Sequence, residues 1–273
     1  MNPRGRSTRA GVAVAGLALL VAACGSNAQA VTADEPLLIA GAADLEPAFA
    51  VLGERFEEAS GEEVVFNFGS SGHLAQQLIE GAPMDLYASA DVAFVEQVLD
   101  AGVGDPRTQS TYAFGRITVW APDDAWRDWQ DLDDVAADDE VEIIAIANPE
   151  HAPYGAAAEQ ALRTAGIWDA VEPALVYGQN VSDAQRLAAT GNADAAIVAL
   201  SLAIAADEAG DGAWTLLDED LHEPLQQDLV VTAEDPDRAA LANEFVEHVN
   251  SEDGRQVMRR FGLLLPGEEM PDR

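Results

Sequence analysis

Four turns in this sequence carry small polar residues, and each follows an apolar run that is typical of a buried strand. They lie at Asp44, Gly69–Gly72, Asn148–Gly155 and Gly178–Ser182. A helical pattern follows each turn, so the turn presents backbone N–H groups at a helix N-terminus, where the helix dipole favours a negative charge. In open α/β sheets the ligand crevice lies at the carboxyl ends of the strands. The turns therefore indicate an anion site, although the same pattern is typical of ordinary helix N-caps and spacing alone does not separate the two.

A second chemistry at the same place is nucleophilic catalysis. The turn Gly69–Gly72 resembles a nucleophile elbow, but the G-x-S-x-G pattern requires glycine at position 73, where this chain has His73. A secreted hydrolase that uses Ser71 and His73 is therefore the alternative from another functional class. We expect that the chain is not an enzyme, and the sequence contains no Walker A loop or G-x-G-x-x-G fingerprint for a nucleotide.

The elements that must position these turns alternate between strand and helix patterns. Phe49, Leu52 and Phe56 are spaced i, i+3, i+7 and predict a helix that ends near Gly61, whereas the apolar run Ile117–Ala121 predicts a strand. Such alternation predicts mostly parallel sheets that are flanked by helices.

The alternation of strand and helix patterns occurs in two successive runs along the chain. The strands near Ile117 and Leu229 are candidate crossings between the two halves. We therefore predict a two-lobed α/β fold with the ligand cleft between the lobes. Lobe 1 is predicted to comprise residues 37–115 and 229–273, and lobe 2 residues 116–228.

The N-terminus has the pattern of an export signal. Arginines 4, 6 and 9 precede an apolar run of 14 residues, Ala10–Ala23, which is shorter than the roughly 17–25 residues of a membrane-spanning helix. Small residues precede Cys24, the only cysteine, as in a bacterial lipobox. We predict a signal peptide over residues 1–23, a lipid anchor on Cys24 and a tether over residues 24–36. An ordinary secretory signal with a leftover thiol is the alternative.

Composition excludes several classes of protein. The 273 residues include 14 basic and 49 acidic side chains, for a net charge of −35, and such a field repels nucleic acid. A single cysteine excludes an intramolecular disulfide and a cysteine-based zinc cluster. The hydrophobic fraction of 48% is that of a folded chain rather than a disordered one.

The sequence resembles the periplasmic molybdate-binding proteins of ABC importers, which have the type II solute-binding fold. The resemblance extends from about Leu37 to Leu264. The segments that carry it are Ala42–Leu45, Phe68–Ala75, Gly81–Asp91, Ala147–Gly155, Asn180–Ser182 and Ala195–Ser201.

The resemblance implies a small oxyanion ligand, molybdate or tungstate, held through its oxygens at Asp44, Ser71, Tyr154 and Val181. Ser71 would donate its hydroxyl and its N–H, and Tyr154 and Val181 would donate backbone N–H groups. It also implies a monomer without a cofactor that stands outside the cell membrane and delivers the ion to an ABC permease. Another small oxyanion such as sulfate stays open as the ligand, because the first-turn hydroxyl of the family is replaced by Asp44 and a tyrosine by Ala199.

A carboxylate that faces a dianion in a dry cleft is costly. We therefore expect the Asp44 side chain to turn away and cap its own helix at the N–H of Glu46. The alternative is that Asp44 faces the site, either protonated or coordinated to the metal centre of the oxyanion.

Overall fold

The computed structural model describes residues 35–268. The signal peptide, Cys24 and the tether up to residue 34 lie outside the described residues, so the predictions made for them are not addressed by the fold. The described strands are β1 (Leu37–Ala42), β2 (Val64–Gly69), β3 (Leu86–Ser89), β4 (Ser110–Gly115), β5 (Ile117–Ala121), β6 (Ile144–Ala147), β7 (Leu175–Gly178), β8 (Ala195–Ala199), β9 (Ala213–Leu216) and β10 (Leu225–Val231).

Helices follow most of these strands directly. They are α1 (Glu46–Ser60), α2 (Ser71–Ile79), α3 (Val92–Asp100), α4 (Leu132–Ala137), α5 (Pro153–Thr164), α6 (Trp168–Val171), α7 (Val181–Ala189), α8 (Leu200–Ala209), α9 (Pro236–Asn250) and α10 (Glu252–Arg260). No helix within residues 35–268 is long and apolar enough to cross a membrane.

The strands form two sheets of five with the same plan. Their orders are β2-β1-β3-β10-β4 and β7-β6-β8-β5-β9. In each sheet the first three strands are parallel, and the fourth, β10 or β5, runs antiparallel to both of its neighbours. Four of the five strands therefore point the same way, and the predicted two-lobed α/β fold with helix-flanked sheets is confirmed.

The chain passes between the sheets at two places. The first passage joins β4 to β5 through residue 116, and the second joins β9 to β10 through residues 217–224. β10 pairs with β4 from Leu225 onward, so residues 225–228 lie in the first sheet and not in lobe 2, where the sequence prediction put them. The polar run Gln226-Gln227-Asp228 concealed the start of this strand, because Gln227 and Asp228 are buried through hydrogen bonds and not through apolar packing.

The core of the first sheet contains the predicted apolar face of α1. Phe49, Leu52 and Phe56 are all buried, and the ring of Phe49 packs edge-on against Phe245 of α9 with centroids 5.8 Å apart. Burial of each such side chain contributes roughly 1.5–3 kcal/mol. The helix ends where predicted, at Gly61, whose φ of 81° is readily adopted only by glycine.

Candidate functional site

The four residues predicted to hold an oxyanion lie around one small cavity between the two sheets. The cavity has about 190 Å³ of space, counting the part that opens to solvent. It is lined by Ala42, Ala43, Asp44, Gly69, Ser70, Ser71, Ala90, Ala152, Pro153, Tyr154, Asn180 and Val181. The structure therefore brings together Asp44 and Ser71 from the first sheet with Tyr154 and Val181 from the helices of the second.

Three helix N-termini meet at this cavity, those of α2, α5 and α7. The backbone N–H groups of Ser71, Tyr154 and Val181 belong to the first turns of these helices and have no acceptor in the described part of the chain. At α7 the side chain of Asn180 already accepts from the N–H of Asp183 at 2.9 Å, so it does not cap Val181. The cavity therefore offers converging N–H donors at the positive ends of three helix dipoles.

Ser71 is fully buried, and its hydroxyl oxygen accepts a hydrogen bond from the N–H of Ala90 at 3.0 Å. Its carbonyl accepts from the hydroxyl of Tyr87 at 2.8 Å. Because the hydroxyl oxygen is used as an acceptor, its hydrogen stays available for donation into the cavity. This arrangement is compatible with the predicted role of the Ser71 hydroxyl as a donor to the oxyanion, and that role stays a prediction.

Asp44 lies in a 3-10 turn, Ala43–Leu45, between β1 and α1, and is fully buried. Its Oδ2 accepts from Gln227 Nε2 at 2.7 Å and from Tyr154 Oη at 3.0 Å. Burial raises the pKa of Asp44 to about 6, although these two hydrogen bonds act in the opposite direction.

The expectation that Asp44 caps its own helix is wrong. Neither the 3-10 turn nor α1 has a side-chain cap, and the N–H of Glu46 donates instead to the carbonyl of Ala43. Only local donors can be read from the sequence, whereas the donors to Asp44 come from α5 and β10, more than a hundred positions away.

Gln227 is a site residue that the sequence analysis missed. Its amide donates to both Asp44 Oδ2 and, at 3.1 Å, Tyr154 Oη. These groups crowd against Gly115, at the first passage between the sheets. A Cβ at Gly115 would lie only 2.2 Å from Tyr154 Oη and 2.9 Å from Gln227 Nε2. Asp44, Tyr154 and Gln227 thus form a buried polar network beside Gly115, and Asp44 and Tyr154 also line the cavity.

His151 joins the turns of the two sheets beside the cavity. Its Nδ1 lies 2.9 Å from Ser70 Oγ, and its carbonyl accepts from the N–H of Gly72 at 2.9 Å. The ring of His73 stacks on that of His151. Burial, and secondarily the neighbouring His73, lowers the pKa of His151.

The hydrolase alternative gains no support from this geometry. Ser71 and His73 share no hydrogen bond among residues 35–268, and the serine oxygen is occupied by the N–H of Ala90. A general base must lie within hydrogen-bond reach of the nucleophile it activates.

Two further serines hold the first turn from the side of the second sheet. Ser182 Oγ donates to the carbonyl of Ala43 at 3.2 Å, and Ser201 Oγ donates to the carbonyl of Asp44 at 2.6 Å. Both follow strands of the second sheet, so these bonds, with those of Tyr154 and His151, fix the two sides of the cavity relative to each other. No sequence pattern pointed to these long-range contacts.

The lining is suited to an anion. It contains N–H and O–H donors but no arginine, so it carries no mobile cation. A larger groove of about 1660 Å³, counting the part that opens to solvent, lies beside the passages between the sheets. Its charged lining has four acidic side chains and two arginines, so its net charge is negative and disfavours an anion there. The charged residues are Glu219, Asp220, Glu223, Glu268, Arg116 and Arg163.

Comparison with known proteins agrees with this geometry. The family described as bacterial extracellular solute-binding protein matches residues 37–264. The molybdate-binding protein ModA of Rhodobacter capsulatus is 33% identical over 215 residues, which cover 78% of this chain and 82% of that protein. ModA of Azotobacter vinelandii is 30% identical over 250 residues, covering 91% and 98%.

The solved structures show the same relationship. The periplasmic molybdate-binding protein of Azotobacter vinelandii superposes with a TM-score of 0.77 at 29% identity, over 84% of this chain and 99% of that one. Because the matched family consists of solute-binding proteins, the prediction that this chain is not an enzyme is confirmed. The match spans nearly all of the described residues, and this chain belongs to the bacterial extracellular solute-binding proteins.

Proposed function

We propose that this chain is an extracytoplasmic lipoprotein that captures molybdate, or tungstate, and delivers it to an ABC importer. The observation that carries the proposal is the convergence of three helix N-termini and the Ser71 hydroxyl on one small cavity without a cation. The names of the most similar relatives, molybdate-binding proteins, support the same ligand.

A tetrahedral dianion can be held by neutral donors alone. Hydrogen bonds to a charged group contribute roughly 1.5–3 kcal/mol each, so a handful of fixed donors suffices for tight binding. The N–H groups of Ser71, Tyr154 and Val181 and the hydroxyl of Ser71 supply four of them. Because these donors are fixed by helices, the cavity selects by size, and the longer metal–oxygen bonds of molybdate fill a space that sulfate leaves loose.

The ion enters when the two lobes separate and is enclosed when they close, as in hinged binding proteins. The contacts of His151, Ser182 and Ser201 across the cavity belong to the closed form. The chain acts as a monomer without a cofactor, and its partners are the oxyanion, which is cargo, and the permease in the cell membrane.

Lipid attachment at Cys24 is a separate part of the proposal. The small residues before Cys24 support it, as does a relative in Bacillus subtilis that is named a putative ABC transporter substrate-binding lipoprotein and is 28% identical over 251 residues. Replacement Cys24→Ala should release the protein from the membrane fraction. A wild type that is already released would contradict the anchor without affecting the ligand proposal.

Isothermal titration of the purified chain with molybdate, tungstate, sulfate and phosphate tests the ligand. We expect tight 1:1 binding of molybdate or tungstate and much weaker binding of sulfate. An ion that binds only the folded state adds about 2.7 kcal/mol at a hundredfold excess over Kd, so the melting temperature should rise with molybdate but not with chloride at equal ionic strength. If the chain prefers sulfate or phosphate, that ion is the ligand instead of molybdate. If it binds no oxyanion, the proposal is refuted.

A further inference from the structure

The two carboxyl oxygens of Asp44 have different surroundings. Oδ2 accepts two hydrogen bonds, from Tyr154 and Gln227. Oδ1 is buried and has no hydrogen-bond partner in the described part of the chain. A buried carboxylate oxygen without a donor is costly, because it has lost water and gained nothing in return. Because Asp44 lines the cavity, this oxygen is available to a ligand bound there.

The groups that face Asp44 include no cation, and the hydrogen bonds that lower its pKa do not offset the effect of burial. From α5 and β10 it receives the neutral hydroxyl of Tyr154 and the neutral amide of Gln227. Tyr112 of β4 is the next titratable neighbour, and it also interacts with Tyr87 of β3 and the carboxylate of Asp228 in β10. Ser182 of α7 and Ser201 of α8 bind the carbonyls of the Asp44 turn. None of these partners is a cation that could stabilise an ionised Asp44.

An oxyanion in the cavity would further disfavour a negative charge on Asp44, because like charges repel. The lining offers four hydrogen donors, namely the N–H groups of Ser71, Tyr154 and Val181 and the Ser71 hydroxyl. A carboxylic acid group can join this set as a donor, whereas a carboxylate cannot. The acid proton fits on Oδ1, which has no partner, because Oδ2 can then keep the hydrogen bonds from its two donors.

We propose that Asp44 binds the oxyanion as a neutral carboxylic acid, with Oδ1–H donating to an oxyanion oxygen, so that each ion is captured together with one proton. The inference rests on the proposed function. The proton comes from solvent and remains on Asp44, no bond of the oxyanion changes, and release of the ion returns the proton to solvent. Asp44 then substitutes for the hydroxyl donor of the family and makes affinity depend on pH.

The direction of that dependence follows from linkage. Burial already raises the pKa of Asp44 to about 6, and a dianion beside it raises the pKa further. Above pH 6 the free protein must therefore gain a proton on binding, and the observed affinity falls about tenfold for each unit of pH until the pKa of the complex is reached. Burial lowers the pKa of His151, which lies beside the cavity, so this ring is neutral at pH 8 and does not compete as the group that takes up the proton.

Titration of the wild type with molybdate at pH 8, in buffers that differ in ionisation enthalpy, measures the proton directly. We expect an uptake that approaches one proton per ion and a Kd that rises about tenfold from pH 7 to pH 8. Asp44→Asn, which keeps the shape and an N–H donor, and Asp44→Ser, which restores a hydroxyl, should bind molybdate without proton uptake and with a Kd that is constant over this range.

Wild-type binding that is tight, proton-neutral and constant from pH 7 to pH 8 would overturn the inference and leave the proposed function intact. Equal proton uptake by the wild type and Asp44→Asn would also overturn it, because the proton would then belong to another group. If the wild type binds no oxyanion at any pH, both proposals fail. Should either variant not fold, the wild-type buffer series alone decides the result.

Discussion

The imidazole rings of His73 and His151 stack with their centroids 3.7 Å apart and their planes inclined by 22°. One ring belongs to the first turns of α2, after a strand of the first sheet, and the other to the turn before α5, after a strand of the second. Together with the contact of His151 with Ser70, the stack joins the two sides of the cavity without contributing a donor to its interior.

We predict that this contact slows release of the oxyanion. His151→Ala removes both the stack and the partner of Ser70, and loss of one neutral hydrogen bond of about 1 kcal/mol corresponds to roughly fivefold faster dissociation. Stopped-flow competition with unlabelled tungstate measures this rate. His222→Ala is the matched control, because the ring of His222 contacts only the carbonyl of its neighbour Glu223 among the described hydrogen bonds. Equal release rates for both variants would show that the contact does not hold the closed form.

Ser71→Ala tests the direct donor. The change removes the hydroxyl that we propose donates to the anion, so Kd should weaken by about 2 kcal/mol, or roughly thirtyfold. It also leaves the N–H of Ala90 without its acceptor, so a modest loss of stability should accompany it. Ser60→Ala, whose hydroxyl bonds only within and just beyond the end of α1, should leave Kd unchanged. A Kd within twofold of the wild type for Ser71→Ala would place the anion elsewhere.

Asp44 should also make the stability of the ligand-free protein depend on pH. A pKa raised from 3.8 to about 6 means that the neutral acid stabilises the fold fully below pH 3.8, and that this contribution disappears as pH rises through 6. At about 1.4 kcal/mol per pKa unit, the wild type should lose about 2 kcal/mol relative to Asp44→Asn between pH 4 and pH 7, because the unfolded carboxyl is already partly ionised at pH 4. Urea unfolding of both proteins at the two pH values gives this difference. Parallel pH profiles would mean that Asp44 has an ordinary pKa in the folded state.

Local sequence patterns predicted the two-lobed fold, and the polar turns predicted where the cavity lies. The helix of Phe49, Leu52 and Phe56 and its end at Gly61 follow from periodicity and a left-handed glycine, which depend on neighbours in the chain. The orientation of the Asp44 side chain does not follow from its neighbours in the chain, because its hydrogen-bond partners Tyr154 and Gln227 lie 110 and 183 positions away.

His248 illustrates the same limit on sequence reasoning. It lies among acidic residues of the sequence, which are typical of a solvent-facing helix surface, yet its ring packs against Phe56 with centroids 5.7 Å apart and its Nε2 is buried. Burial lowers the pKa of His248. The acidic residues near His248 indicate that one face of its helix lies in solvent. They do not indicate which distant element packs against the other face.

The ion pair of Asp85 and Arg238 should be the most sensitive electrostatic contact for stability. Their side chains are only 11% and 12% exposed. Arg238 also donates to the carbonyls of Glu35 and Pro36, and Asp85 accepts from the N–H of Leu38, so the pair holds the start of β1 against α9. Removal of one partner of a buried pair leaves an uncompensated charge and typically costs 3–5 kcal/mol. Arg238→Ala should therefore lower the free energy of unfolding by about that amount.

The matched control is Arg107→Ala, which breaks a pair with Asp105 in which the arginine is 87% exposed. Water screens such a pair, so we expect no measurable change in stability. Because neither pair contacts the cavity lining, the folded fraction of both variants should bind molybdate with the wild-type Kd when binding is titrated well below the melting temperature. Equal stability losses in the two variants would show that burial of Arg238 does not strengthen its pairing, and a weakened Kd for Arg238→Ala alone would show that the start of β1 is coupled to the Asp44 turn at its other end.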